Sequence, residues 1–223
     1  MKIMKKLMMI IALAAVTLGV NAQHDVGTLS IQPKVGVTFS KITDLILYNS
    51  TIGDTELKKE YKVGYQFGVE FEYQFAPQMS VAAGVVYSDQ GVKFGNASII
   101  TNKKLYTLKD TKYDIDYINI PIVFNYYLTE GFAIKTGIQP AFLTRAKIKY
   151  TEVIDDVSTK TNGDIKDNYK TFDFSIPVGF SYEVSNVVLD GRYNIGLTKI
   201  NKANIGTEKN SVFQFTVGYK FDL

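Results

Sequence analysis

The chain has no cysteine, no tryptophan and a single histidine, His24, among 223 residues. Without cysteine there are no disulfide staples, thiolate metal sites, cysteine nucleophile or lipid anchor on an N-terminal cysteine. With only His24, placed near the N-terminus, a Ser-His-Asp triad or a histidine-rich metal site lacks its central residue. No glycine-rich phosphate loop precedes a helix. Beyond the N-terminal segment no apolar run reaches the roughly 20 residues of a spanning helix. Charge of one sign is also missing. The 25 basic residues barely exceed the 22 acidic ones, so nothing in the balance asks for nucleic acid.

What is present begins with residues 1–22. Lys2, Lys5 and Lys6 lead into the apolar stretch Leu7–Val20, and Val20-Asn21-Ala22 precedes Gln23. This order reads as a secretory signal cleaved between Ala22 and Gln23, too short for a membrane anchor. Residues 23–223 are then expected to be a single domain, neutral once the three signal lysines are gone.

The domain is organised around Tyr113–Leu128. From Ile118 onward, Ile118, Ile120, Ile122, Phe124, Tyr126 and Leu128 share one face. Asn119, Pro121, Val123 and Asn125 share the other. A period of two over this length is a strand signal. Seven further stretches repeat it: Leu29–Ser40, Tyr61–Phe75, Met79–Phe94, Phe132–Tyr150, Thr171–Val184, Asn186–Thr198 and Ser211–Leu223. Tyr61–Phe75 is the cleanest, with eight apolar residues on one face and Lys, Gly, Gln and Glu on the other. Asp89-Gln90-Gly91 interrupts the third stretch as a candidate bulge. Pro121 and Pro177 fall on the polar parity and are expected to kink their strands.

The connections alternate in length. Ala76-Pro77-Gln78, Thr129-Glu130-Gly131 and Ser185-Asn186 are short; residues 41–60, 95–112, 151–170 and 199–210 are long and polar. Short turns at one end and long loops at the other are the pattern of an outer-membrane barrel. The expected fold is all-β: an eight-stranded antiparallel up-and-down transmembrane β-barrel, apolar faces toward lipid, polar faces inward. Eight strands leave an interior filled by side chains. The inward charges, Lys34, Glu70, Glu72, Lys135, Asp173, Glu183, Asp190, Arg192 and Lys220, are expected to form a lumen network of ion pairs.

Other acidic groups invite a metal reading. Asp114 and Asp116 share the outward parity near the long-loop end, where a solvated pair above the membrane rim outweighs a Ca²⁺ site. Asp155-Asp156 and Asp164…Asp167 lack EF-hand spacing. No cofactor or metal is expected. Lys103, Lys104, Lys109 and Lys112 in the second long loop are placed to meet lipopolysaccharide phosphates, or form an ordinary charged loop.

Six short pieces lie in order along the domain: P-K-V-G-V-T-F-S at 33–40, Y-S-D-Q-G-V-K at 87–93, Y-I-N-I-P-I at 117–122, F-D-F at 172–174, R-Y-N-I-G-L-T at 192–198 and F-Q-F-T-V-G-Y-K-F at 213–221. In this order the chain resembles the PorT-like outer-membrane β-barrel family of Gram-negative bacteria. The resemblance implies an eight-stranded, OmpX-like outer-membrane barrel of the porin family and brings no catalytic or ligand residues. The expected role is structural or interactive rather than catalytic. Its partners are outer-membrane lipid, lipopolysaccharide and an envelope or extracellular protein met through the long loops; a monomer is expected. A lipocalin-like ligand-binding barrel, with the parity reversed, and a narrow solute pore are the alternatives.

Overall fold

The structure is a computed structural model that describes residues 25–43, 58–101, 104–154, 157–203 and 207–223. The expected signal, the Ala22–Gln23 junction, His24, most of the first long loop and Asp155-Asp156 lie outside the described residues. Eight strands form a ring: β1 (Leu29–Ile42), β2 (Lys62–Ala76), β3 (Met79–Phe94), β4 (Lys104–Asn119, continued by Ile122–Tyr127), β5 (Phe132–Ile154), β6 (Phe172–Val184), β7 (Val187–Gly196) and β8 (Asn210–Tyr219, continued by Phe221–Asp222). Each strand runs antiparallel to its neighbours. The ring closes where β8 pairs with β1, from Lys34↔Gly218 to Ile42↔Asn210. Closure leaves no open edge in lipid, where unpaired backbone groups would find no water.

The local chemistry explains the breaks. Ser185 and Asn186 have φ of 49° and 69°, the paired positive angles of the tight turn that joins antiparallel strands with the correct twist. Pro121 divides β4 as its missing N–H requires. Pro177 stays within β6, but the pairing of β6 with β5 skips it, passing from Ser175↔Gln139 to Val178↔Thr136. Gly91 has φ 132°. Around it the register with the preceding segment slips by one residue, between Gln66↔Ser88 and Glu60↔Lys93.

In the lower part of the barrel the outer surface is apolar and the interior polar. Val35, Phe67, Val85, Ile134, Phe180, Leu189 and Val217 are exposed, while Lys34, Glu70, Lys135, Asp190 and Arg192 are buried. Toward the long-loop end the alternation inverts. On β3 the outward run ends at Tyr87, and Val92 and Phe94 turn inward beside an outward Lys93. On β4, Ile118 faces out while Tyr117 and Ile115 face in. On β5, Phe142 faces out while Leu143 and Ala146 face in. These inward groups join Ile42, Tyr169 and Ile200 in one apolar core. A wall in lipid is apolar outside; a wall in water buries its apolar groups. The ring of inversions therefore marks the outer rim of the membrane.

Two of the expected loops are instead strands. Ala97–Thr101 pairs with β4, from Ala97↔Leu108 to Thr101↔Lys104. Val157–Asp164 pairs with the end of β5, from Lys147↔Asp164 to Ile154↔Val157. With β4 and β5 paired as far as Tyr106↔Ile154, they make a four-stranded sheet standing beyond the rim. Polarity alone suggested loops for 95–112 and 151–170. Both segments carry β-branched residues, Ile99, Ile100, Thr101 and Thr107 in one and Val157, Thr159 and Thr161 in the other, and strand pairing satisfies their backbone above the membrane.

Candidate functional site

The inward charges of β1, β2, β5 and β7 meet in one layer. The Arg192 guanidinium grips Glu70 with two parallel bonds, Nη1 to Oε1 and Nη2 to Oε2, each 2.8 Å. Its Nε and Nη2 also reach Asp190 Oδ2 at 3.1 and 2.8 Å. Lys34 Nζ lies 2.6 Å from Glu70 Oε1, and Lys135 Nζ 2.8 Å from Asp190 Oδ2. The fork of donors on arginine matches a carboxylate edge, which makes this the strongest kind of pair. Small neighbours make the room. A Cβ on Gly84 would sit 2.7 Å from Glu70 Cγ, and one on Gly179 would sit 3.1 Å from Arg192 Cγ.

A second layer lies nearer the short turns. Lys220 Nζ pairs with Glu183 Oε2 at 2.7 Å and Glu72 Oε2 at 3.2 Å. Glu72 Oε1 also accepts from Ser80 Oγ at 2.6 Å and from the Tyr127 hydroxyl. Lys220 stands over the Tyr127 ring, 5.9 Å from its centre. Sequence parity alone could have found Tyr127: it shares the inward face with Val123 and Asn125.

Above the ionic layers comes a layer of amides. Asn119 Nδ2 donates to Ser88 Oγ at 2.7 Å, Gln139 Nε2 donates to Asn119 Oδ1 at 3.1 Å, and Gln90 Nε2 donates to Ser88 Oγ at 2.7 Å. Asp173 sits here, away from the cations. Eight of the nine expected lumen charges thus fall into the two ionic layers. Asp173 is buried but forms no ion pair among the described residues.

The outer wall above the rim holds a further charged patch, where the expectation for Asp114 and Asp116 fails. Their parity is outward, but neither is solvated: they are 4% and 1% exposed. Asp116 Oδ2 lies under the Tyr87 hydroxyl at 2.5 Å and Arg145 Nε at 2.7 Å. Asp114 pairs with Lys149 at 2.6 Å and Lys62 at 3.0 Å, and Lys62 also pairs with Asp89. The long side chains of Arg145 and Lys149 lie over the short carboxylates, so water meets these cations, while Lys62 is buried beside them. The side chains of Arg145, Lys149 and Lys93 are 43%, 37% and 50% exposed. Lys93, Lys112 and Lys149 stand opposite one another across β3, β4 and β5. A groove of about 500 Å³ opens beside them, bordered by Tyr61, Lys62, Lys93 and Lys112 with Glu60 and Asp110. No group of three or more acidic or histidine residues suited to a metal ion occurs among the described residues.

An outer membrane protein beta-barrel domain family model matches residues 21–202. No curated protein matches the chain significantly. Among solved structures, Ail of Yersinia pestis, crystallised with the heparin analogue sucrose octasulfate, is 13% identical. The alignment covers 88% of this chain and 100% of that one, with a TM-score of 0.46. Neisserial surface protein A is 11% identical over 86% and 97% of the two chains, TM-score 0.42. The outer membrane protein OprG of Pseudomonas aeruginosa is 14% identical over 90% and 98%, TM-score 0.41.

Proposed function

The chain belongs to the outer membrane protein beta-barrel domain family, and from that premise we propose that it is a closed outer-membrane barrel whose work is done outside the rim. It anchors the raised β-sheet and binds phosphate groups of lipopolysaccharide through the basic outer wall of β3, β4 and β5. The observation that carries this reading is the row Lys93, Lys112 and Lys149, like charges placed directly across three strands. Glu60 at 3.8 Å from Lys93 and Asp114 at 2.6 Å from Lys149 offset part of the repulsion within this row, and an anion lying across it relieves the rest. Its position immediately above the apolar belt is the level of lipid headgroup phosphates. The role is interactive rather than catalytic, as the lone histidine ahead of the barrel supports.

The test is a photo-crosslinking residue at Lys112 in intact cells. The expected product is a lipopolysaccharide adduct that disappears when Lys93 and Lys149 are changed to Glu. An adduct unchanged by those substitutions, or no adduct while a probe at Val217 still labels lipid, would remove the proposed role.

A further inference from the structure

Asp173 stands apart from the two ionic layers of the lumen. Among the described inward side chains, the layer of Lys34, Lys135 and Arg192 with Glu70 and Asp190 carries one surplus positive charge. The layer of Lys220 with Glu72 and Glu183 carries one surplus negative charge, and the two offset. Asp173 is left over. Its Oδ1 accepts from the Phe174 N–H at 2.8 Å and from the Thr198 hydroxyl, and its Oδ2 accepts from Asn210 Nδ2 at 2.7 Å. All three donors are neutral.

Asp173 borders a chamber of about 10 Å³, the room that one water-sized occupant needs. Asn119, Gln90, Gln139, Ser175, Asn194 and Asn210 supply further oxygens to its lining, which Ala141 and Val212 complete. Asn194 is 3% exposed. Neither its Oδ1 nor its Nδ2 has a partner among the described residues. A buried amide with both ends unmatched is rare and costly. The chamber lies between the arginine layer and the apolar core, where an uncompensated charge is least tolerated.

We propose that Asp173 and Asn194 bind a monovalent hard cation of the sodium or potassium class inside the barrel. Carboxylate, amide and hydroxyl oxygens of the kind that border this chamber suit such an ion. One carboxylate asks for one positive charge, and no second acidic group lines the chamber to hold a divalent ion. The site locks β6 to β7 and β8 through Asp173, Asn194 and Asn210, independently of the phosphate role proposed for the outer wall.

The experiment uses the full barrel refolded in neutral lipid vesicles. Equilibrium dialysis with labelled sodium and potassium, at constant ionic strength set by N-methylglucamine chloride, counts the bound ions. Urea unfolding is followed in the same salts. Saturable binding of one ion per chain and slower unfolding in its presence are expected. Asp173→Asn should abolish both. Asn194→Ala, which keeps the carboxylate, should weaken binding by at least about tenfold, and it serves as the test should Asp173→Asn not fold. Equal unfolding in all salts with no bound ion would overturn the site. So would binding that survives both substitutions.

Discussion

The interior below the rim and the interior above it are sealed by opposite chemistry. Below, Arg192, Glu70, Asp190, Lys34 and Lys135 fill the lumen with ion pairs. Above, Ile42, Val92, Phe94, Ile115, Tyr117, Leu143 and Ile200 fill it with apolar packing. The same strands run through both zones; only the surroundings differ. Where lipid takes the apolar face, polar residues are driven inward and must satisfy one another. Where water surrounds the wall, apolar residues move inward and the acids Asp114 and Asp116 lie under outward cations. The comparison teaches that the inside of a barrel is set by what lies outside it.

The largest expected effect breaks the lower seal. Arg192→Leu removes the cation shared by Glu70 and Asp190 and leaves buried carboxylates short of partners, which should destabilise the barrel by about 3–5 kcal/mol. Urea unfolding in vesicles measures it. Arg192→Lys keeps the charge but not the fork and should recover only part of the loss. The upper seal is independent, so neither Arg192→Leu nor Phe94→Ala should conduct in planar bilayers, whereas the double variant should. Steady channel steps from the unaltered protein would contradict a lumen closed at two levels.

Next in size is the test of which face meets lipid. Phe180 is 54% exposed and Ser181 is buried on the same strand. Phe180→Lys should cost about 2–4 kcal/mol, the range for a cation at the midplane of such barrels. Ser181→Lys should cost less, since acidic groups are available inside. The reverse order in urea unfolding would invert the parity and restore the lipocalin-like alternative. In the upper core, Ile115→Val should cost only about 0.5–1.5 kcal/mol, read as faster hydrogen exchange in the raised sheet with the lower barrel unchanged.

The smallest effect concerns pH. Burial pushes the Glu208 carboxyl above the usual carboxylate range, against the opposing Asn201 amide and Lys59. The folded state therefore holds this proton more tightly than the unfolded chain. Its contribution is fully present below the ordinary carboxylate pKa and is lost as pH rises through the raised value. Protease sensitivity at the long-loop end should increase over that window, and Glu208→Gln should flatten the dependence.

Much of this was legible in the sequence because alternation is local. The eight strands, their outward faces, the short turns and the inward direction of Lys34, Glu70, Lys135, Asp190 and Arg192 follow from period two and turn chemistry. The membrane rim was not read from the sequence, although adjacent apolar pairs such as Tyr117-Ile118 and Phe142-Leu143, where one alternation gives way to its inverse, could have located it. The hairpins within 95–112 and 151–170 were obscured because their polarity matches that of a loop, and only pairing with β4 and β5 gives them strand form.

What alternation alone determined is which way each side chain points; what it left open is which side chains meet. Glu70 and Arg192 are 122 residues apart, and their contact depends on the registers of all the strands between them and on the closure of β8 against β1. The same closure gathers the cations below Asp173 and leaves that carboxylate among amides. Tertiary structure decided these points because cross-lumen distance is a property of the closed ring, whereas facing is a property of each strand's pleat.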